Sequence, residues 1–474
     1  MTTEIHLPRG FNRRTLLGGT AGGMTAVWLG GCSSSEESSS SSSTGPVKFL
    51  AGGGRWEKGD YGWTSLQEYS KKNPDEKVTV VSGGQDTLKT FTQAASTRNF
   101  PDLVLGGPAL PVMLAHKWAL SMEELGVDIK SKFPKEMWVD GVTTSGGKTY
   151  SWSQDDGRGI MLGYNTKYMD DIGASEPPAT WDELIDMSVK MHAKNKDVFG
   201  MGMQLEAGKD GLVWIARTLQ AATPGIDAGF DLRAGRYAMD TYYTPAMEVL
   251  LKMQQTNTLH PNSSQLNYAQ LDGYWNAGRT MFNLDGSWLC SVAKHNKFED
   301  FKVANPPVLE DGDKVGVYGS LAQGSYIAMT ASKNRESLKG LVEYLVSEAW
   351  LKTELDNLSI PPVPDLAKKY ASTGQLKEQL DVQYNTWIQP PLPQTDNLAL
   401  EARKKEAELP APTQTPSAIT LGALSGRIKD WKSALKEMNQ QYNDRFDKAL
   451  DETKCPRSKF TFADWDGLTS YQTS

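Results

Sequence analysis

The sequence predicts an α/β fold in two domains, each a mostly parallel sheet flanked by helices. Two observations carry that prediction. Short apolar strands alternate with helical stretches from Val47 onward, and each early strand ends in glycines. Strand–helix alternation implies right-handed crossovers, hence parallel strands. The second observation is length: roughly residues 46–474 can fold, beyond the ~250–300 residues at which a single core stops growing.

The N-terminus comes first in order. Arg9, Arg13 and Arg14 precede an apolar run from Leu16 to Leu29, the charged and apolar regions of an export signal. The run is too short and too rich in glycine to span a membrane, which takes ~20 apolar residues. Gly30-Gly31 directly before Cys32 resembles a bacterial lipobox. Residues 1–31 are then a signal that is cut away, and Cys32 carries the lipid (palmitate). Phe11 to Leu17 also resembles a twin-arginine signal; an ordinary basic leader would read the same way. Residues 33–43 hold nine serines and two glutamates, a composition that stays disordered. Residues 32–46 are therefore a tether that holds a folded body clear of a surface.

Val47 to Ala51 is the first strand and runs into Gly52-Gly53-Gly54. A helix over 61–74 follows, ending at Asn73-Pro74. Lys77 to Val81 is a strand, Asp86 to Ser96 a helix, and Asp102 to Leu105 a strand ending in Gly106-Gly107-Pro108. In open α/β sheets, ligands bind at these carboxyl edges. Gly159 to Asn165 is a further strand. Thr180-Trp181-Asp182-Glu183 is a capping box opening a helix whose inner face holds Leu184, Ile185 and Met191. Strands are expected at Thr280 to Leu284, Phe301 to Ala304 and Ser325 to Met329. The stripe Leu338, Leu341, Val342, Leu345, Val346 predicts one long helix over 335–357. Pro361 to Pro364 breaks the chain, 390–416 reads as irregular, and the apolar spacing from Ile428 to Leu450 predicts a helix over 425–451.

Composition excludes several functions. The formal net charge is −7, and removing residues 1–31 takes away three Arg and one Glu, leaving −9. So acidic a body does not suit a nucleic-acid partner. Gly52-Gly53-Gly54 is no nucleotide fingerprint: Glu57 stands where the last glycine belongs, and no ribose-binding acid ends the second strand. The histidines His6, His116, His192, His260 and His295 are scattered, with no metal-binding spacing. There is no GxSxG elbow. No catalytic residue, metal or cofactor is expected. Cys290 and Cys455 remain after Cys32 and permit a disulfide or two separate thiols. The acid pairs Glu123-Glu124, Asp155-Asp156 and Asp170-Asp171 read mainly as solvated loops.

Tryptophan is the better clue. Trp56, Trp63, Trp152, Trp214, Trp275 and Trp288 lie beside glycines or polar residues. Most pack in cores, but flat aromatic faces also suit the C–H face of a sugar, with carboxylates, amides and Arg suiting its hydroxyl rim.

Four ordered stretches over about residues 47–350 resemble one family. They are Asn99-Phe100-Pro101-Asp102-Leu103-Val104; Gly163-Tyr164-Asn165 through Pro177-Pro178-Ala179-Thr180-Trp181-Asp182-Glu183-Leu184; Ala277-Gly278-Arg279-Thr280-Met281 with Asp285-Gly286-Ser287-Trp288; and Gly319 to Met329 with the helix after it. The chain is similar to extracellular solute-binding proteins of family 1, the maltodextrin-binding type that serves ABC sugar importers. The resemblance implies a two-lobed periplasmic-binding-protein-like fold with a hinge. Its lobes would be 47–157 plus 305–360, and 158–304 plus 361–474. It implies that Trp288 stacks on sugar. It also implies ligand contacts from Trp152, Asp155, Asp156 and Arg158, and from Glu206 and Trp214; Trp56 and Gly319 complete the expected set. Asp102 and Trp181 are expected to be structural. After Pro101-Asp102 the chain reads Gly106-Gly107-Pro108-Ala109, without the family's aromatic and acid, which tells against maltodextrin itself but not against a sugar.

The function implied is a monomeric, lipid-anchored receptor outside the cytoplasm. It would bind a carbohydrate, an oligosaccharide first of all, and pass it to an ABC transporter permease. Two alternatives stand beside it: a surface-anchored glycoside hydrolase using Asp155 or Asp156, and the same fold holding a peptide, polyol or siderophore.

Overall fold

The computed structural model describes residues 45–471, apart from 53, 85, 86, 154, 207, 372 and 373. The expected export signal, Cys32 and the serine run all lie before residue 45, outside the described residues. The fold is α/β and two-lobed, with one main sheet in each lobe.

The first sheet grows from β1 (Val47–Ala51), which pairs in parallel with β2 (Val78–Ser82) on one side and β3 (Leu103–Leu105) on the other. Helix Tyr61–Lys72 links β1 to β2 and stops at Asn73, before Pro74; helix Thr87–Ser96 links β2 to β3. Strand Tyr326–Ala328 lies antiparallel to β3, and Ser151–Trp152 lies antiparallel to it at the edge. The sheet is therefore mixed. Its parallel part is the part built from single strand–helix–strand crossovers; Tyr326–Ala328 arrives from the other lobe with no such constraint. Phe49, Leu103, Trp152 and Tyr326 form its core with Leu338, Leu341 and Trp350.

The second sheet runs Phe301–Ala304, Ile160–Asn165, Thr280–Gly286, Phe199–Met201. The first two pairings are antiparallel and the last parallel. Every residue of Thr280–Gly286 is buried, as expected of an inner strand covered on both faces. The capping box is present: Thr180 accepts from the Glu183 amide and Glu183 accepts from the Thr180 amide. Trp181 is buried in this core. Asp102 accepts from the Lys48 amide at 2.7 Å, stitching β3 to β1.

Four expectations are corrected. The second sheet is mostly antiparallel, not mostly parallel, with two of its three pairings running that way. The 335–357 stretch is two helices, Arg335–Leu345 and Glu348–Asp356. Ser347 between them caps the second by accepting from the Trp350 amide, a competition with helical hydrogen bonding that serine side chains favour. The 390–416 stretch contains helix Asn397–Glu408, capped by Asp396 and buried through Ala399, Ala402 and Glu406. Its buried face is mostly alanine, so no large apolar stripe marked it. The C-terminal helix is Trp431–Thr453, opened by Asp430, after a separate helix Pro416–Leu424. Cys290 and Cys455 are unpaired and buried in different apolar clusters. No helix among the described residues is long and apolar enough to cross a membrane.

Candidate functional site

A cleft of about 710 Å³ opens beside the carboxyl end of β1. On one wall stand Arg55, Asp60, Tyr61 and Asp155; on the other, Tyr268 and Asp272 from helix Tyr268–Asn276, Trp288, and His295 from helix Leu289–His295. A second hollow of about 420 Å³, at the carboxyl end of β3, is lined by Gly106, Gly107, Pro108 and Gln323. Asp155 lines both.

Arg55 organises the first wall. Its guanidinium is buried and ion-pairs with Asp155 on one arm and Glu354 on the other. The Ser359 hydroxyl sits 3.1 Å from Asp155 and 3.2 Å from Glu354. Burial pushes the Glu354 carboxyl up to about 7, against the pull of Arg55. The Arg is thereby fixed in orientation before any solute arrives, which lowers the ordering cost of binding.

Trp288 organises the second wall. It follows the inner strand Thr280–Gly286 and begins helix Leu289–His295. Gly286 makes room for the ring: a Cβ there would fall 2.5 Å from an indole carbon. The half-buried ring meets Trp214 edge-on, centroids 5.9 Å apart at 85°, and Tyr268 at 6.3 Å. Its N–H donates to the Tyr268 hydroxyl, which donates to Asp285. Tyr268 and Asp272 share a helix face one turn apart. Burial drives the carboxyls of Asp272 and Asp285 upward, to about 8 and about 7, and for Asp272 the neighbouring Asp285 charge adds to the effect.

Two expected residues, Trp288 and Asp155, line the cleft, and Trp214 packs against Trp288 with the Arg217 guanidinium over its ring, 5.8 Å from the centroid. The others lie elsewhere. Trp56 stacks on Trp350 at 5.4 Å and meets Phe49 edge-on; Trp152 stacks on Tyr326 at 4.7 Å. Both are core residues of the first lobe, only 2% and 1% exposed. Arg158 engages Asp156 in a bidentate pair through one guanidinium edge, Nε donating at 2.5 Å and Nη2 to the other carboxylate oxygen. That Arg lies over the Trp387 ring at 4.3 Å. Gly319 accepts from the Trp387 indole at 2.9 Å, and a Cβ on it would come 3.0 Å from the Arg158 Cα. Asp156, Arg158 and Gly319 thus form a buried clasp with the C-terminal third and do not line the cleft. Glu206 sits in the turn before helix Leu212–Ala216, also off the cleft.

Arg55, Tyr268, Asp272 and His295 were not among the expected residues. Arg55 had a signal, its place directly after the glycines that end β1. The rest became visible only through tertiary placement. No cluster of three or more metal-ligating side chains occurs among the described residues.

A face of aromatic carbon flanked by carboxylates and a fixed guanidinium suits a solute with one apolar face and a hydrogen-bonding rim. Residues 57–352 match the bacterial extracellular solute-binding protein family. No curated protein matches the sequence. The fold is similar to three solved structures. The GacH receptor of Streptomyces glaucescens GLA.O, solved unliganded and with acarbose, is 16% identical, with a TM-score of 0.63 over 85% of this chain and 99% of that one. An ABC transporter solute-binding protein from Thermotoga lettingae TMO, bound to α-D-tagatose, is 19% identical, with a TM-score of 0.64 over 85% and 100%. One from Agrobacterium vitis S4, with D-mannitol, is 15% identical, with a TM-score of 0.60 over 85% and 99%.

Proposed function

The chain belongs to the bacterial extracellular solute-binding proteins, and we propose that within this family it is a lipid-anchored receptor for a carbohydrate, delivering it to the permease of an ABC importer. The observation that carries this reading is the convergence of the Trp288 ring, the Asp155 and Asp272 carboxylates and the Arg55 guanidinium on one cleft of about 710 Å³. Similarity to proteins solved with tagatose, mannitol and acarbose agrees with it. The gap at Gly106 to Ala109 favours a sugar other than maltodextrin.

In this reading the solute touches both walls only when the lobes are closed, so binding shifts an open–closed equilibrium toward closure. The hinge passes between 47–157 plus 305–360 on one side and 158–304 plus 361–474 on the other. Cys32 is the lipid attachment point, the serine run is the tether, and the body acts as a monomer. The adjacent acids Asp155 and Asp156 do not form the two-carboxyl arrangement of a glycosidase. A glycosidase sets two carboxyl groups about 5–9.5 Å apart across one bond. Asp156 is instead locked to Arg158 off the cleft, and Asp155 is held by Arg55.

The test is calorimetry of the mature protein against mono- and oligosaccharides, with assay of the same mixtures for new reducing ends. Stoichiometric binding without product is expected. Product that accumulates over time and is lost in Asp155→Asn would overturn the receptor reading.

A further inference from the structure

Sorting the cleft's carboxylates by partner leaves Glu57 and Asp272 without a cation, and of the two only Asp272 is buried. Asp155 faces Arg55, and Asp60 faces His295. Glu57, at the rim, accepts from the Ser82 hydroxyl at 2.8 Å. Asp272 lines the cleft, is 8% exposed, and has the Asn283 amide and the Asp285 carboxylate as its neighbours. Asp285 in turn accepts from the Tyr268 hydroxyl and from the Gly286 amide at 2.7 Å. Among the described residues, neither acid has a Lys, Arg or His within ion-pair distance. Asn283 adds a third acceptor: it is 2% exposed, and its Oδ1 has no donor.

Resting on the carbohydrate reading above, we propose that the cleft selects a saccharide bearing a basic nitrogen, an amino sugar whose ammonium sits between Asp272 and the face of Trp288. Two neighbouring buried carboxyls repel and resist ionisation together, and neutral hydroxyls could donate hydrogen bonds here but bring no charge that would favour the ionised form. Burial is the first cause of the raised carboxyls, and no cation stands within ion-pair distance to offset it. An ammonium supplies three donors and the charge at once. Trp288 is suited to the other side of it. The indole N–H is already committed to Tyr268, leaving the ring face as the surface a cation or a sugar ring would meet.

The experiment is calorimetric titration of the mature protein with glucosamine and fully deacetylated chitotriose. Glucose, maltotriose and triacetylchitotriose serve as neutral counterparts, and spermidine as a cation without a sugar ring. The amine-bearing sugars are expected to bind about ten-fold or more tightly than their acetylated or hydroxyl counterparts. Asp272→Asn, with an unchanged far-ultraviolet circular dichroism spectrum, is expected to erase that preference. The wild-type comparison of chitotriose with its acetylated form needs no variant. Neutral sugars that bind as tightly as the amines overturn the proposal and leave the receptor reading intact. Spermidine binding with no sugar binding overturns both. If no amino sugar binds, the proposal falls, and the wider neutral panel decides the receptor reading alone.

Discussion

The Nδ1 atom of His295 lies 2.9 Å from a carboxylate oxygen of Asp60, and the two residues stand on opposite walls of the cleft. Asp60 precedes the first helix of one lobe; His295 closes a helix of the other. Asp60 is nearly buried, which raises its carboxyl, while the facing His295 draws it back down. His295 is about half exposed, so the pair is worth only about 0.2–1 kcal/mol, yet all of it acts on the relation between the walls.

His295→Ala should therefore open the ligand-free protein without unfolding it. Small-angle X-ray scattering should show a larger radius of gyration for the variant. Where the imidazole is protonated, the wild type should move the same way at high salt, which screens exposed charges. Superimposable scattering curves would exclude the pair as a brace.

Trp288→Ala should weaken solute binding by roughly 1–3 kcal/mol, the scale of losing an aromatic anchor. Far-ultraviolet circular dichroism should be unchanged, because the ring is half-buried at a wall and not in a core. Calorimetry that shows unaltered affinity would remove Trp288 from the site.

Gly286→Ala should weaken binding while keeping the ring. The new Cβ would fall 2.5–2.8 Å from three indole carbons, and the ring is the part able to move. A shifted tryptophan emission with reduced affinity is the expected pair of readouts. Wild-type affinity would mean that the ring's position is not what the solute recognises.

Trp56→Ala should act on stability alone. Removing a ring stacked on Trp350 and wedged against Phe49 should cost about 3–5 kcal/mol in urea unfolding. The fraction that remains folded should bind solute with unchanged affinity.

The Asp272–Asp285 pair predicts a direction with pH. Both carboxyls are raised in the folded state above the usual carboxylate range, to about 8 and about 7, so the folded protein holds protons that the unfolded chain has released. Their contribution to stability is full below pH ~4 and is lost as pH rises through about 7 to 8. The ligand-free melting temperature should fall across that window, and less steeply in an Asp272→Asn, Asp285→Asn double variant. Parallel wild-type and variant curves would count against the coupling.

Local signals in the sequence translated well into local structure. The Thr180 capping box, the strand from Val47 and the stop at Asn73-Pro74 depend on neighbours a few residues away, and each is where it was expected. The site depended on contacts the sequence does not display. Arg55 meets Glu354 across 299 residues. The Asp155-Asp156 pair was conspicuous as a dipeptide, but its two carboxylates point to different partners, one to Arg55 and one to Arg158. Glycine and polar flanks made Trp56 and Trp152 look exposed, whereas both rings fold back into the first sheet's core. The Asn397–Glu408 helix escaped notice because alanine buries well without standing out.

The clasp around Arg158 ties the matched segment to the chain that follows it. The family match ends at residue 352, whereas Glu354, Gln383 and Trp387, which hold Arg55, the Asp156 backbone and Arg158, all come after it. A gene shortened to the shared segment would strip Arg55 of one counter-charge and leave the Arg158–Asp156 pair without its cover. The segment that matches the family is smaller than the unit that folds.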